Sequence, residues 1–514
     1  MKYLREIAQI VTRLKEKKIE IIDDEVDSSS SDNISKFYYG IKSGAINSDL
    51  KAAEVIYGKP FLDTKYTTLK NRLKKKLLNS LFFLNVKYPD YSQYAVALYQ
   101  SNKNLFLVKT LSNLGARNTA IKFAESALAH GQRYHLTSNS IEFLYSLRNY
   151  SSIFGNEKKY DEYDNLLKIA LKTYEAECIA QEYNDRIILK FEKTSAEQPE
   201  LQGIVEAWCN TLQEIRKHYN SFNLNYNYYR LQSQSYQISQ QYQAAVDICT
   251  EAEKYLTAHP HLTFPTRFGE FALQKLSCYL NLKDYEKGKE SVERCSEIYA
   301  AGTNNWFIFM ELNFYLAMHT QHFIEAETVF TEVTQHPRYA FQPDHKKESW
   351  NLLELYMRFA LNSENKDQSQ AGSGAFDMKK FLRAVPSYKG DKRGYNVAIL
   401  ILHILFLLDN NDFGNIIGRM DALRTYRTRY LRATSNKQSA IFFRMLQIME
   451  TNNFSYEITK QKSQKYYDRM VGMNAEYTEI QDGLQVLPFD WLWRKILDML
   501  KLKEEQGIIQ KVIK

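Results

Sequence analysis

Apolar and polar positions along this chain recur mostly with helical period. After Asp63, Leu69, Leu73, Leu77 and Leu81 repeat every four residues, with Lys70, Arg72, Lys74, Lys75 and Lys76 between them. Apolar and basic groups on opposed sides predict an amphipathic helix. Upstream, the pattern predicts a helix over Lys2–Lys15 and a strand or extended segment over Lys18–Ile22. An acidic, serine-rich linker follows (Asp23, Asp24, Glu25, then Ser28 to Ser31). Two short helices are expected over Ile34–Lys42 and Leu50–Tyr57, with Asp49 as N-cap of the second. Towards the C-terminus, helices are predicted over Trp350–Leu361, Phe376–Val385, Val397–Leu408, Phe413–Leu423, Arg419–Arg432, Ser439–Thr451 and Tyr456–Met473. The stretches Asn362–Gly374 and Ser387–Gly394 read as loops. Val397–Leu408 is apolar on every side but far short of the ~20 residues that span a bilayer, so it is expected to be a buried helix. Trp491, Leu492 and Trp493 open a final helix expected to cap the fold.

From residue 91 onward a half-motif recurs. A turn or an aromatic residue is followed by a small residue, a larger apolar one about four later, and another small one. The copies are Leu114-Gly115 with Ala120, Ala124 and Ala127; Tyr160, Tyr163, Leu167 and Ala170; Ala207 with Leu212; Tyr236, Tyr242, Ala245, Cys249 and Ala252; Tyr279, Tyr285, Gly288, Val292 and Cys295; and Ala317, Phe323, Ala326, Phe330 and Val333. With the register set at 120, 163, 207, 245, 288 and 326, the spacing is 38 to 44 residues. That length suits a helical hairpin, somewhat longer than the tetratricopeptide unit of about 34 residues. A small residue lets two helices approach and the larger one fills the groove between them. One hairpin cannot bury its own apolar face, so neighbours are expected to stack.

On these residues the chain resembles the tetratricopeptide-repeat family, most clearly through Gly115, Ala120, Ala124 and Ala127 and through Tyr229, Tyr236, Tyr242, Ala245 and Ala252. The resemblance covers roughly residues 95–335 and extends more weakly over 345–450. The layout, with its C-terminal Pro488-Phe489-Asp490-Trp491-Leu492-Trp493 segment, is also similar to uncharacterised bacterial proteins of about this size, which implies no activity. The expected fold is all-α: an α-solenoid of such hairpins behind a small, mostly helical N-terminal module. The expected domains are 1–90 (the module and its linker), 91–340 (repeats) and 341–514 (divergent helical repeats and a cap).

Composition narrows the classes further. The 9 prolines and 19 glycines among 514 residues are too few for an all-β fold with a turn every ~10 residues. The formal net charge of +8 is mild and demands no polyanionic partner. Cys178, Cys209, Cys249, Cys278 and Cys295 are odd in number and include no CxxC pair. They are expected to be reduced, buried thiols. The N-terminal residues lack a signal-peptide h-region, and a cytoplasmic location is expected.

The sequence offers no catalytic constellation. It holds no GxSxG, no Gly-rich phosphate loop and no HExxH, so no enzyme activity, metal or cofactor is expected. The pairs His259/His261 and His319/His322 lack further ligands at zinc spacing and are read as surface histidines in inter-helix turns. What the resemblance implies is peptide or partner-helix binding in a concave groove lined by the first helix of each hairpin. The family's register places Asn102, Lys109 and Asn113 there in the first copy, and Asn227, Arg230, Gln234 and Gln237 in the fourth. Amide side chains suit this task because every peptide backbone offers donors and acceptors. The alternative partner is nucleic acid, held by Arg424, Arg427, Arg429 and Arg432 with Tyr426 and Tyr430 among them, since Arg neutralises phosphates and Tyr stacks on bases.

Overall fold

The computed structural model describes residues 31–58, 63–83, 86–87, 91–191, 198–364, 395–430, 437–472 and 485–509. Among these residues the chain is helical throughout and contains no strand. The expected helices at Lys2–Lys15 and Phe376–Val385, the extended segment at Lys18–Ile22, the linker as far as Ser30, the loop Ser387–Gly394 and the loop after Glu364 lie outside the described residues. The chain divides into two compact units. The first comprises Met1–Leu171 with His261–Thr263, and the second Lys172–Pro260 with Phe264–Lys514.

The first unit begins with α1 (Ser31–Lys42), α2 (Asp49–Tyr57) and α3 (Thr64–Ser80). Phe37, Ile41, Ile46, Ala52, Leu69, Leu73 and Leu77 form a core of their own, completed by Phe37 against Tyr66 at 5.8 Å. The N-cap of α2 is Ser48, whose hydroxyl accepts from Lys51 N at 3.2 Å. Asp49, expected there, is instead the first helical residue. Its carboxylate accepts from the Tyr66 hydroxyl and pairs with Lys70 Nζ at 2.8 Å. Asp63 caps α3 through a 2.7 Å bond from Tyr66 N.

Then follow α4 (Gln93–Asn113), α5 (Arg117–Arg133), α6 (Thr137–Ile153) and α7 (Glu157–Phe191), the last continuing into the second unit. Ala124, Ala127, Phe143, Leu144, Leu147, Tyr163 and Leu167 form their shared core.

The second unit continues with α8 (Gln198–His218), α9 (Phe222–Ile238), α10 (Tyr242–Ala258), α11 (Pro265–Leu282), α12 (Tyr285–Ile298), α13 (Asn304–His319), α14 (Phe323–Gln335) and α15 (Asp344–Glu364). It ends with α16 (Tyr395–Asp409), α17 (Phe413–Tyr430), α18 (Lys437–Thr451), α19 (Tyr456–Gly472) and α20 (Phe489–Glu505). Helix α16 contains the long apolar run, interrupted by half-buried His403, with Ala398, Ile401, Leu405 and Leu408 buried. Helix α20 packs on α16, α18 and α19, and its Trp491 and Trp493 are 1% and 0% exposed. No described helix is long and apolar enough to cross a membrane.

One turn joins eight pairs of the described helices. A left-handed residue occupies Gly115, His135, Gly155, Gln240, Lys283, Gln321, Asn411 and Asn453. In each case the next residue's N–H donates to the carbonyl five residues back, as from Ala116 to Leu111 (2.9 Å), Gln241 to Tyr236 (2.8 Å) and His322 to Ala317 (2.8 Å). This satisfies an orphan carbonyl at the helix end. The next helix starts at once, so the pair folds back as a hairpin. The small residues Ala120, Ala245, Gly288 and Ala326 each lie five positions beyond the left-handed residue, one turn inside the second helix. At Gly288 the space is taken by Leu316 of α13. A Cβ there would lie 2.5 Å from Leu316 Cδ2. Ala207 differs: it is exposed on α8, which turns Val205 and Leu212 inward instead. Next to it, Trp208 stacks on Tyr183 at 4.9 Å.

Candidate interaction faces

The first unit brings α4 and α6 side by side. Asn139 Nδ2 donates to Ser101 Oγ and to Asn102 Oδ1, both at 2.9 Å. Lys109 pairs with Glu142 at 2.9 Å while both side chains stay about half exposed, at 54% and 47%. The Tyr150 hydroxyl reaches Ser112 Oγ. Asn102, Lys109 and Asn113 are all exposed, and exposed Phe106 and Tyr145 lie on the same two helices. The surface therefore mixes amides, an ion pair and aromatic rings.

In the second unit, α9 lies against α11, and its polar side chains turn inward. Asn227 is buried. Its Oδ1 accepts from Arg230 Nη1 at 3.1 Å, and its backbone carbonyl accepts from Asn184 Nδ2 at 3.0 Å. Arg230 Nε donates to Glu270 Oε1 at 2.5 Å, with side chains 15% and 27% exposed. The other carboxylate oxygen takes the Tyr226 hydroxyl. Burial, with Glu270 beside it, pushes the Tyr226 hydroxyl pKa well up. Gln237 Nε2 donates to Gln274 Oε1 at 3.2 Å, and Gln234 Oε1 is buried without a partner. Arg267, itself buried, sits 4.8 Å from the Phe222 ring and 4.7 Å from that of Tyr226. On this face the candidate residues tie neighbouring helices together.

The Tyr226–Arg230–Glu270 arrangement recurs. Tyr163 and Lys159 share Glu125 at 3.1 and 2.8 Å. Tyr285 and Lys289 share Glu325, and Tyr66 and Lys70 share Asp49. A tyrosine and a cation four residues apart lie on one helix face and grip a single carboxylate from another helix. In the three cases beyond α3, that carboxylate is 34 to 44 residues away in sequence. The signal available in the sequence was a Tyr–cation pair at helical spacing with an acid one hairpin away.

The Arg-rich patch is only partly described. Arg424 is held by Asp421 (2.5 Å) and by Glu450, so its charge is already met. The side chains of Tyr426, Arg427, Arg429 and Tyr430, and Arg432 altogether, lie outside the described residues.

Two expectations are corrected. His319 is not in a surface turn: it is 3% exposed at the end of α13, with Nε2 bonded to Gln485 O at 2.9 Å and Nδ1 without a partner. Burial drives its pKa down to about 3. His322 follows the turn and stacks on Tyr285 at 3.5 Å. Cys178 is exposed, whereas Cys249, Cys278 and Cys295 are buried; burial pushes the Cys249 and Cys295 thiols up to about 12. A cleft of about 260 Å³ lies among α5, α6 and α7, lined in part by Glu125, Tyr150, Phe154 and Lys159. It is at the small end for ligand pockets, and its carboxylate is already shared by Lys159 and Tyr163.

No protein-family model, no curated protein and no solved structure matches the chain.

Proposed function

We propose that this chain is a non-catalytic scaffold, a tetratricopeptide-like α-solenoid that holds an extended peptide or a partner helix on the face built from the first helices of its hairpins. The observation that carries this reading is the α4/α6 surface. There Asn102 and Lys109 stand exposed beside Phe106 and Tyr145, so hydrogen-bonding groups and rings are offered together. Support also comes from the side-by-side packing of α4 with α6, α9 with α11 and α11 with α13, as expected when successive hairpins stack. Amides there can pair with peptide N–H and C=O groups without reading side chains. Rings supply area at low entropic cost.

The test is selection of peptides from a random display library on the immobilised full chain. Peptides enriched on the native chain should bind the Asn102→Ala, Lys109→Glu double variant at least about tenfold more weakly, or about 1.4 kcal/mol. Because both residues are exposed, the variant should lose no more than the ~1 kcal/mol of an exposed pair, so the urea midpoint should fall only slightly. Equal binding by the double variant removes α4/α6 as the docking face.

A further inference from the structure

The strongest uncommitted surface is the outer face of α3. Residues 31–83 contain ten Lys and Arg against four Asp and Glu, a net of +6 within a chain whose total is +8. Helix α3 itself carries six cations and no acid. Only Lys70 of these has a carboxylate partner among the described residues, Asp49. Lys65, Arg72, Lys74 and Lys75 are exposed and Lys76 is half-buried.

These charges are arranged, not scattered. At 100° per residue, Tyr66, Leu69, Leu73 and Leu77 point to the core of the three-helix module, and all four are buried. Opposite them lies a polar strip of Thr64, Thr68, Asn71, Lys75 and Asn79, all exposed. Lys65, Arg72 and Lys76 run along one edge of the strip, and Lys74 lies on the other. A centre able to hydrogen-bond base edges, walled by cations on both sides, matches a groove of bases walled by two phosphate backbones.

We propose that α3 is a duplex-DNA docking helix. Its 17 residues make a rod of about 25 Å, and the major groove of B-form DNA admits one helix. Duplex RNA is disfavoured because its major groove is too deep and narrow for side chains to read. An anionic membrane is the poorer fit: surface-seeking helices bury an apolar face in lipid, whereas the apolar face of α3 is spent on its own core. Leu78 and Phe82 are exposed only at its C-terminal end, at 39% and 49%. The Asp49–Lys70–Tyr66 bridge fixes how α3 projects from the module.

The full chain is titrated by fluorescence anisotropy with a short mixed-sequence DNA duplex, the matching RNA duplex, and vesicles containing phosphatidylserine. Neutralising four phosphates predicts a log–log salt slope near −3.6, a loss of about 100-fold between roughly 50 and 200 mM salt. The Lys65→Gln, Arg72→Gln, Lys74→Gln variant should bind DNA at least about tenfold more weakly at low salt, with a slope shallower by about 3. Asn71→Ala should leave the slope unchanged. All these positions are solvent-facing, and circular dichroism verifies that the variants fold. The proposal is overturned by any of four results: no DNA binding at low salt, an unchanged slope in the triple variant, RNA bound as tightly as DNA, or vesicle binding without DNA binding.

Discussion

Helices α4 and α9, each the first helix of a hairpin and one in each unit, carry similar polar residues to different ends. On α4, Lys109 meets Glu142 in a pair that remains about half exposed, and Asn102 hangs at the edge of an amide contact. On α9, Arg230 and Asn227 are drawn under the surface by Glu270 and Tyr226. The difference comes from the neighbour. Helix α11 presents a carboxylate one hairpin away at a depth where both a guanidinium and a phenol can reach it. The face that stays open to solvent in one unit, and that we propose for recognition, corresponds to a structural joint in the other. Register alone therefore does not tell a binding residue from a packing residue; the depth of its counter-charge does.

Breaking that joint should have the largest effect. Glu270→Ala leaves a mostly buried Arg230 without its anion and Tyr226 without its acceptor. Removing one partner of a buried pair costs about 3–5 kcal/mol, and the 27% exposure of Glu270 reduces this to about 2–3 kcal/mol. Urea unfolding followed by circular dichroism would show it as a lower midpoint for the second unit. An unchanged midpoint would mean that α9 and α11 are held by apolar packing alone.

Acid should separate the two units by a smaller margin. His319 is neutral in the fold, with its pKa near 3 against an ordinary 6.5. Below 6.5 the unfolded chain takes up a proton that the folded chain refuses, so stability falls as pH drops from 6.5 towards 3. By about pH 5.5 this amounts to about 1 kcal/mol. In the first unit, the Lys159 ammonium hydrogen-bonded to Glu125 holds that carboxyl below its ordinary 4.5. Its stabilisation is complete above 4.5 and is lost only as pH falls through the lower folded value. Hydrogen-exchange protection in α13 and α20 should thus weaken between neutral pH and pH 5.5 while that around Lys159 on α7 holds; on α5, burial lowers the His130 pKa as well and adds a slope of the same sign. The His319→Gln variant should lose the pH slope in α13 and α20. Equal slopes in both proteins would show that His319 does not govern it.

Much of the helical layout was legible from periodicity. Leu69, Leu73 and Leu77 place α3, and the apolar run at 397–408 places α16. Four of the small-residue copies are buried with their register positions on second helices: Ala120, Ala245 and Ala326 are all 0% exposed, and Gly288 is buried as well. The turns were less legible because the residue at positive φ is glycine only at 115 and 155; elsewhere it is His, Gln, Lys or Asn. The hairpin hydrogen bond, not the side chain, imposes that conformation. Buried His319 was missed because a polar residue next to a turn reads as surface, and only Gln485, 166 residues away, reveals its partner. Ala207 departs from the pattern because small size does not by itself mean inwardness: α8 buries Leu201, Val205 and Leu212 instead. For the candidate interaction residues, the family's register carries no sign of which charges are already answered, Lys109 by Glu142 and Arg230 by Glu270.

The smallest effect is the most discriminating counterpart to Glu270. Glu142→Ala breaks an ion pair in the corresponding place on the other unit, but there both side chains are about half in water. Solvent screens the attraction, and holding two long side chains in one geometry offsets much of the gain, so exposed pairs contribute only about 0.2–1 kcal/mol. The expected loss lies at the low end, below about 0.5 kcal/mol, and should shrink further in high salt. Urea titrations at low and high ionic strength measure it. The same substitution leaves Lys109 exposed and unpaired, which should strengthen capture of acidic peptides selected on the native chain. A large loss of stability would instead make α4/α6 a joint like α9/α11 and withdraw it as a docking surface.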